Sequence, residues 1–113
     1  MHEMALAQSI VELVQDHARR DAFTRTRTIR LSIGALAHVD PRALEFGFDV
    51  VARGTVAEGA ELIIDRPGGT AFCMDCSRNV EVSAHGEACP SCGGHEWILV
   101  GGDGMRIVDL EVD

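Results

Sequence analysis

Four cysteines stand in this chain as two pairs, Cys73-Met74-Asp75-Cys76 and Cys89-Pro90-Ser91-Cys92, with twelve residues between them. Each pair presents two thiolates from one tight turn. Closing the spacer as a loop brings the turns together into a tetrahedral cage of four sulfurs that suits Zn²⁺. Every coordination position of such a cage is filled by protein, so the spacing predicts a structural zinc rather than a catalytic one. Two disulfides, a redox-switch thiol pair and a rubredoxin-like iron site are the competing readings. Disulfides require an oxidising compartment, and residues 1–30 show no cationic segment followed by an apolar one of the kind that directs export.

With 113 residues, 46% of them hydrophobic, the chain can bury one modest core and carry a small satellite held together by the metal. No apolar run approaches the length of a membrane span, which predicts a soluble, cytoplasmic protein. Ten Lys+Arg, all of them Arg, against 18 Asp+Glu give a formal charge of −8. That balance opposes binding to nucleic acid or anionic lipid. The point matters because zinc ribbons often serve as adaptors to nucleic acid or to transcription partners, the main alternative function for this chain. Within residues 70–98 the single cation Arg78 is set against Asp75, Glu81, Glu87 and Glu96, so no basic groove can form. An enzyme is not supported either, since no nucleophile and base fall in a recognisable local signature.

Periodicity gives the layout. From Met4 to Ala18, Leu6, Ile10, Leu13, Val14 and Ala18 follow helical spacing while Gln8, Glu12, Gln15 and Arg19 take the other side. Thr26 to Ile33 alternates, with Ile29, Leu31 and Ile33 on one face, and Gly34 stops this strand. Asp40-Pro41 is an N-cap followed by proline in the first turn, and Leu44, Phe48 and Val51 mark the stripe of a second helix from about Pro41 to Arg53. Glu61 to Asp65 reads as a second strand, ended by Pro67-Gly68-Gly69. Met105 to Val112 alternates again as a third strand.

The last strand returns after the cysteines and can find a home only on the first sheet. The expected class is therefore α+β: a three-stranded sheet with two helices on one face, formed by residues 1–67 with 102–113, and a zinc-ribbon module of residues 70–98 inserted into it. Gly68-Gly69 and Gly101-Gly102 are its expected hinges. Phe72, Val80, Val82 and Trp97 are the apolar residues available to the ribbon core.

The other place for chemistry is Met1-His2-Glu3. The bulky second residue predicts retention of the initiator methionine. The α-amine of Met1, the amide nitrogens of His2 and Glu3 and the His2 imidazole then lie within reach of one ion. Such fused small chelate rings enforce a square-planar field suited to Ni(II) or Cu(II). The same residues also read as an exposed histidine ahead of a helix and a carboxylate placed to suit the helix dipole. Asp40 is a further carboxylate to watch, with helix capping its alternative role. His17 reads as a partly packed surface residue, and His38, His85 and His95 as loop histidines or auxiliary ligands.

Taken together, the start Met1-His2-Glu3, Gly34, the run Val39-Asp40-Pro41-Arg42-Ala43-Leu44-Glu45-Phe46, Gly54-Thr55, Glu58-Gly59-Ala60-Glu61-Leu62, the two cysteine pairs and Met105-Arg106-Ile107 resemble the HypA/HybF family of nickel-insertion proteins. The resemblance spans essentially the whole chain. It implies a nickel metallochaperone for [NiFe]-hydrogenase maturation, with nickel held by His2 and its neighbours and a structural zinc on Cys73, Cys76, Cys89 and Cys92. It further implies a HypB-type GTPase and the hydrogenase large-subunit precursor as partners. A homodimer is compatible with it; a nucleic acid or membrane partner is not expected.

The charge balance generates a first prediction. No mobility shift with DNA or RNA is expected at physiological salt, and a sequence-dependent shift at submicromolar protein would restore the adaptor reading.

Overall fold

A computed structural model describes residues 2–113. Among these the chain forms α1 (Glu3–Asp21), β1 (Thr26–Ile33), α2 (Pro41–Val51), β2 (Glu61–Asp65), β3 (Gly69–Cys73), β4 (Arg78–Val82), β5 (Trp97–Gly101) and β6 (Met105–Val112). The strands make two sheets, ordered β2-β1-β6 and β4-β3-β5. The class is α+β as expected, and β6 returns to β1 only after the three strands of the cysteine module, so that module is an insertion in the first sheet. The backbone separates into two compact units, residues 1–31 with 39–64 and 107–113, and residues 32–38 with 65–106.

In the first unit α1 and α2 pack against each other. Leu6, Ala7, Ile10, Val11, Val14 and Ala18 form the buried side of α1. Leu13, placed on the apolar stripe by its spacing, is 42% exposed, and Val11 is buried in its place. The buried arc is centred on Ala7, Ile10 and Val14, and at about 100° per residue Leu13 falls just past its rim. α1 ends at Ala22 in the left-handed conformation. α2 starts as the sequence indicates. The Asp40 side chain accepts from the backbone N–H of Arg42 (3.0 Å) and Ala43 (3.4 Å), and Pro41 fills a first-turn position that needs no donor. The helix stops at Val51, two residues before the expected Arg53, and Leu44, Gly47 and Phe48 are its buried residues. On β1, Ile29, Leu31 and Ile33 are fully buried, as their alternation requires. Arg27 and Arg30 pair across to Asp113 (3.3 Å) and Asp109 (3.7 Å). These half-exposed ion pairs set cross-strand complementarity more than they add stability.

In the second unit β3 is the central strand, antiparallel to both β4 and β5. Its core is Leu36, Ala71, Cys73, Val80, Val82 and Cys89, with Cys76, Trp97 and Leu99 packed against it. Phe72, expected in this core, alternates onto the opposite face of β3, and Leu36, far away in sequence, takes the apolar role. Leu36 arrives on a segment gripped by Arg66. The Arg66 guanidinium donates to the carbonyls of Ile33 (2.9 Å), Gly34 (3.1 Å), Ala35 (3.4 Å) and Ala37 (3.0 Å). One rigid five-donor fork thus gathers four carbonyls of a single segment.

The glycines of this unit serve close approach. A Cβ on Gly34 would overlap the Gly102 carbonyl, one on Gly102 would run into Gly69, and one on Gly69 would stand 2.6 Å from the Gly101 oxygen. Gly102 also holds φ at +104°, a region that favours glycine.

Replacing Arg66 by Met keeps the apolar stem and deletes the fork. The zinc-loaded variant should lose about 2 kcal/mol of unfolding free energy and exchange the amide protons of residues 35–37 faster. Unchanged exchange there would show that the fork does not hold the segment.

Candidate metal centre

Cys73 is the last residue of β3, and the chain turns so that Cys76 comes back beside it before β4 begins. The turn is closed by the Ser77 N–H donating to the Cys73 carbonyl at 2.8 Å, with Ser77 at φ +53°. The second pair repeats the device. The Gly93 N–H donates to the Cys89 carbonyl at 2.8 Å, with Gly93 at φ +76°. In each case the residue after the second cysteine takes the left-handed conformation, which turns both sulfurs of the pair inward.

Several contacts bring the two turns together. The Met74 N–H donates to the Glu96 carbonyl (2.8 Å) and Arg78 to the Ser91 hydroxyl (2.6 Å), while the Cys89 N–H closes the second turn on the Gly94 carbonyl (2.7 Å). Gly94 is required here. A Cβ on it would stand 2.7 Å from the Asp75 carboxylate and 3.4 Å from the Cys92 sulfur. Glu87 shapes the loop from β4 to the second pair: its carboxylate accepts from the Ser83 N–H (2.6 Å), the Ala84 N–H (3.1 Å) and the Ser83 hydroxyl (3.2 Å). The bond from the Ser83 backbone, followed by that from Ala84, holds Glu87 below the ordinary carboxylate range against an opposing effect of burial. Its backbone carbonyl accepts the Trp97 indole N–H at 2.7 Å, which fixes that ring against the core.

The four sulfur atoms all lie within 4.8 Å of one another. Cys73 and Cys92 are 3.7 Å apart, Cys76 and Cys89 3.9 Å. A tetrahedron of sulfurs about 2.3 Å from Zn²⁺ has edges of about 3.8 Å, so the spacing fits zinc, whereas a disulfide would need about 2.05 Å. All four cysteines are free thiols. Their electrostatics also ask for a cation. The hydrogen bond with Cys92, then burial, then bonds with Cys73 and Cys89 push the Cys76 thiol up to about 12. The backbone N–H groups of Cys92 and Ser91 pull Cys89 down to about 7. So close a group cannot all ionise unless a dication compensates the charge.

Among the described residues, no other group of three or more His, Cys, Asp and Glu side chains converges on a point. His2 is exposed and is the N-cap of α1, its carbonyl accepting the Leu6 N–H at 3.1 Å while its side chain makes no capping bond. Glu3 turns its carboxylate to accept the Asp40 N–H at 3.2 Å. Asp40 thus caps α2 with its side chain and tethers the start of α1 with its backbone. The Met1 amine lies outside the described residues.

The loop histidines behave otherwise. His38 and His85 stack, ring centroids 4.5 Å apart and 13° from parallel, and His85 Nε2 donates to the Leu36 carbonyl at 2.7 Å. His17 lies beside Arg20 on α1, and His95 is exposed next to the second turn. Arg66 and Leu36, which position the loop leading to Asp40, carry no motif. The one signal that could have found Leu36 is its place in an apolar run beyond the end of β1.

Fold and cage together define a small metal-handling protein whose own metal site is closed. A family model described as hydrogenase/urease nickel incorporation, metallochaperone, HypA matches residues 1–112. The hydrogenase maturation factor HypA 2 of Bradyrhizobium diazoefficiens is 50% identical over 113 residues, covering 100% of both chains. The hydrogenase maturation factor HypA of Alkalilimnicola ehrlichii is 50% identical over 114 residues, again covering both chains in full. The solution structure of the nickel metallochaperone HypA from Helicobacter pylori superposes with a TM-score of 0.69 at 23% identity, covering 99% of this chain and 97% of that one, a likeness of fold. The chain belongs to the HypA family of metallochaperones for hydrogenase nickel incorporation. The family is not one of enzymes, and its function implies partners in hydrogenase maturation. Among the described residues no helix is long and apolar enough to cross a membrane.

The purified protein is expected to carry about one zinc per chain. Cys73→Ser and Cys92→Ser should each lose it and unfold β3–β5, because apparent zinc binding energies of about 10–16 kcal/mol dominate a module with so small a core. The helical ellipticity of α1 and α2 should persist. Full zinc content in both variants by elemental analysis would refute the cage.

Proposed function

We propose that the chain carries nickel as cargo at its N-terminus, held by the Met1 α-amine, the amide nitrogens of His2 and Glu3 and the His2 imidazole. The nickel is delivered for maturation of [NiFe]-hydrogenase, in cooperation with a HypB-type GTPase and the large-subunit precursor. The four cysteines hold a structural zinc, and four free thiols suit a reducing, cytoplasmic setting. Function then divides between the units, cargo with the helical unit and zinc with the ribbon.

The observation that carries this reading is the start of α1. The first N–H groups of a helix have no carbonyl four residues back, so the amides of His2 and Glu3 can give up their protons to a metal without breaking a helical bond. The His2 imidazole is exposed and free of capping duty. Charge is consistent as well. A dication bound to two deprotonated amides is formally neutral, so the positive end of the helix dipole does not repel it. The Glu3 carboxylate accepts the Asp40 N–H, so on this reading Glu3 contributes its backbone nitrogen and not its side chain.

His2→Ala and an uncleaved N-terminal extension should each abolish specific 1:1 Ni(II) binding in isothermal titration and leave zinc content unchanged. A C-terminal tag should have no effect. Nickel must displace protons from an amine with an ordinary pKa near 8 and from amides, so affinity should fall as pH drops from about 8 to about 6. Undiminished nickel binding by the extended form would move the site elsewhere in the chain.

A further inference from the structure

β6 is the outer strand of the β2-β1-β6 sheet and, at eight residues, offers a long edge. Among the described residues, no backbone bond ties residues 105–112 to any segment outside that sheet. Two observations fix which groups face the open side. The Gly104 carbonyl accepts the Gly34 N–H at 2.9 Å and the Asp113 N–H donates to the Arg25 carbonyl at 2.9 Å, so residues 104 and 113 both turn toward β1. Residues bonded to one antiparallel neighbour recur at every second position, and the separation of 104 and 113 is odd, so one extra residue stands between them. Exposure places it: half-buried and exposed positions alternate along β6 except at Val108 and Asp109, which are both exposed. On either side of this bulge, Ile107, Leu110 and Val112 direct their N–H and C=O away from β1, toward the open edge.

The side chains of the same three residues line a groove of about 350 Å³, completed on the helix side by His17 and Asp21 of α1 and by Phe23 just beyond it. Its lining holds two carboxylates, Asp21 and Asp109, and no Lys or Arg. Arg20 and Arg30 stand 3.9 and 3.7 Å from these carboxylates but leave them 63% and 54% exposed. Glu111 is exposed and, among the described residues, in no ion pair.

We propose that this edge and groove bind an extended basic segment of a partner protein, which adds to β6 as a further strand. Alternate side chains of that segment enter the groove beside Ile107, Leu110 and Val112, where apolar ones fit against Phe23. The intervening ones fall on the other face beside Asp109 and Glu111, where Arg or Lys is favoured. A bulge and charged side chains are devices by which native edges avoid pairing with their own kind. A second copy of this chain would bring the same acids together at a net charge of −8 each, so charge selects a basic partner instead. The bulge keeps the paired stretch short, and binding is correspondingly weak.

Amide spectra of the full-length, zinc-loaded protein test this, recorded during titration with three capped peptides of about eight residues. One alternates Arg and Val, one alternates Glu and Val, and one is the Arg–Val peptide with proline at its centre. The Arg–Val peptide should shift the amides of Ile107, Leu110 and Val112 saturably and slow their hydrogen exchange. The Glu–Val and proline peptides should bind at least tenfold more weakly. Glu111→Arg, confirmed to keep its zinc and its ellipticity, should weaken the Arg–Val peptide about fivefold and strengthen the Glu–Val peptide by a similar factor. No shift at 1 mM Arg–Val peptide, or shifts confined to other residues, would overturn the proposal. Equal binding of the proline peptide would overturn strand addition. Equal binding of the Glu–Val peptide, or a Glu111→Arg variant without effect, would overturn the charge complementarity. The same amides shifting with protein concentration alone, or with free arginine, would overturn it by giving the edge to a second copy or the groove to a small cation.

Discussion

Charge compensation among four sulfurs organises the ribbon. Placed within 4.8 Å of one another, the thiols of Cys73, Cys76, Cys89 and Cys92 cannot all ionise unless a dication compensates their charge. The apolar residues around them, Leu36, Ala71, Val80, Val82, Trp97 and Leu99, form a core too small to hold three five-residue strands alone. The backbone is shaped to the same end. Left-handed Ser77 and Gly93 turn the sulfur pairs inward, Gly94 lets one turn approach Asp75 of the other, and the three hydrogen bonds accepted by the Glu87 carboxylate fix the loop that joins them.

Inserting such a module between β2 and β6 has a topological cost, because the chain must leave the first sheet and come back. The return is managed by backbones packed closer than any side chain allows, at Gly34, Gly69 and Gly102, and by the Arg66 fork on four carbonyls. Paired glycines in a sequence suggest freedom. Here one of each pair marks a close contact, since Gly69 and Gly102 lie where a Cβ would run into neighbouring atoms. The same segment supplies Leu36 to the ribbon core and then runs on to Asp40, the cap of α2.

The cysteine cage, both helices and three strands were legible in the sequence because each rests on a local rule: ligand spacing, period, or capping. β1, β2 and β6 fall at the bounds their patterns indicate, and Asp40 caps as its place before proline requires. What was not legible depends on partners distant in the chain. Periodicity brackets the buried arc of α1 but not its centre, so Leu13 and Val11 exchange roles. Alternation on β3 says that Phe72 and Ala71 lie on opposite faces, but only the cysteines at 73 and 89 decide which face is inner. Arg66 and the stacked His38 and His85 are invisible to any local rule, since their partners come from remote segments.

The two metal chemistries in the proposed function also explain why both belong in so short a chain. A thiolate cage closed on all sides exchanges its ion slowly, because no incoming ligand can reach the metal before one sulfur leaves and unravels the fold. That suits scaffold and is useless for delivery. A chelate of one amine, two amides and one imidazole at an exposed helix start is open above and below its plane, so an acceptor can add a ligand first and displace the nitrogens one at a time. Each nitrogen that leaves recovers a proton, and the returning amides rejoin a helix end that never bonded them, so release leaves α1 intact. The sulfur set and the nitrogen set prefer different ions, tetrahedral zinc for the first and square-planar nickel for the second. On the proposed reading each donor set favours a different ion, so the cargo would exchange at the nitrogen set while the sulfur set kept its zinc.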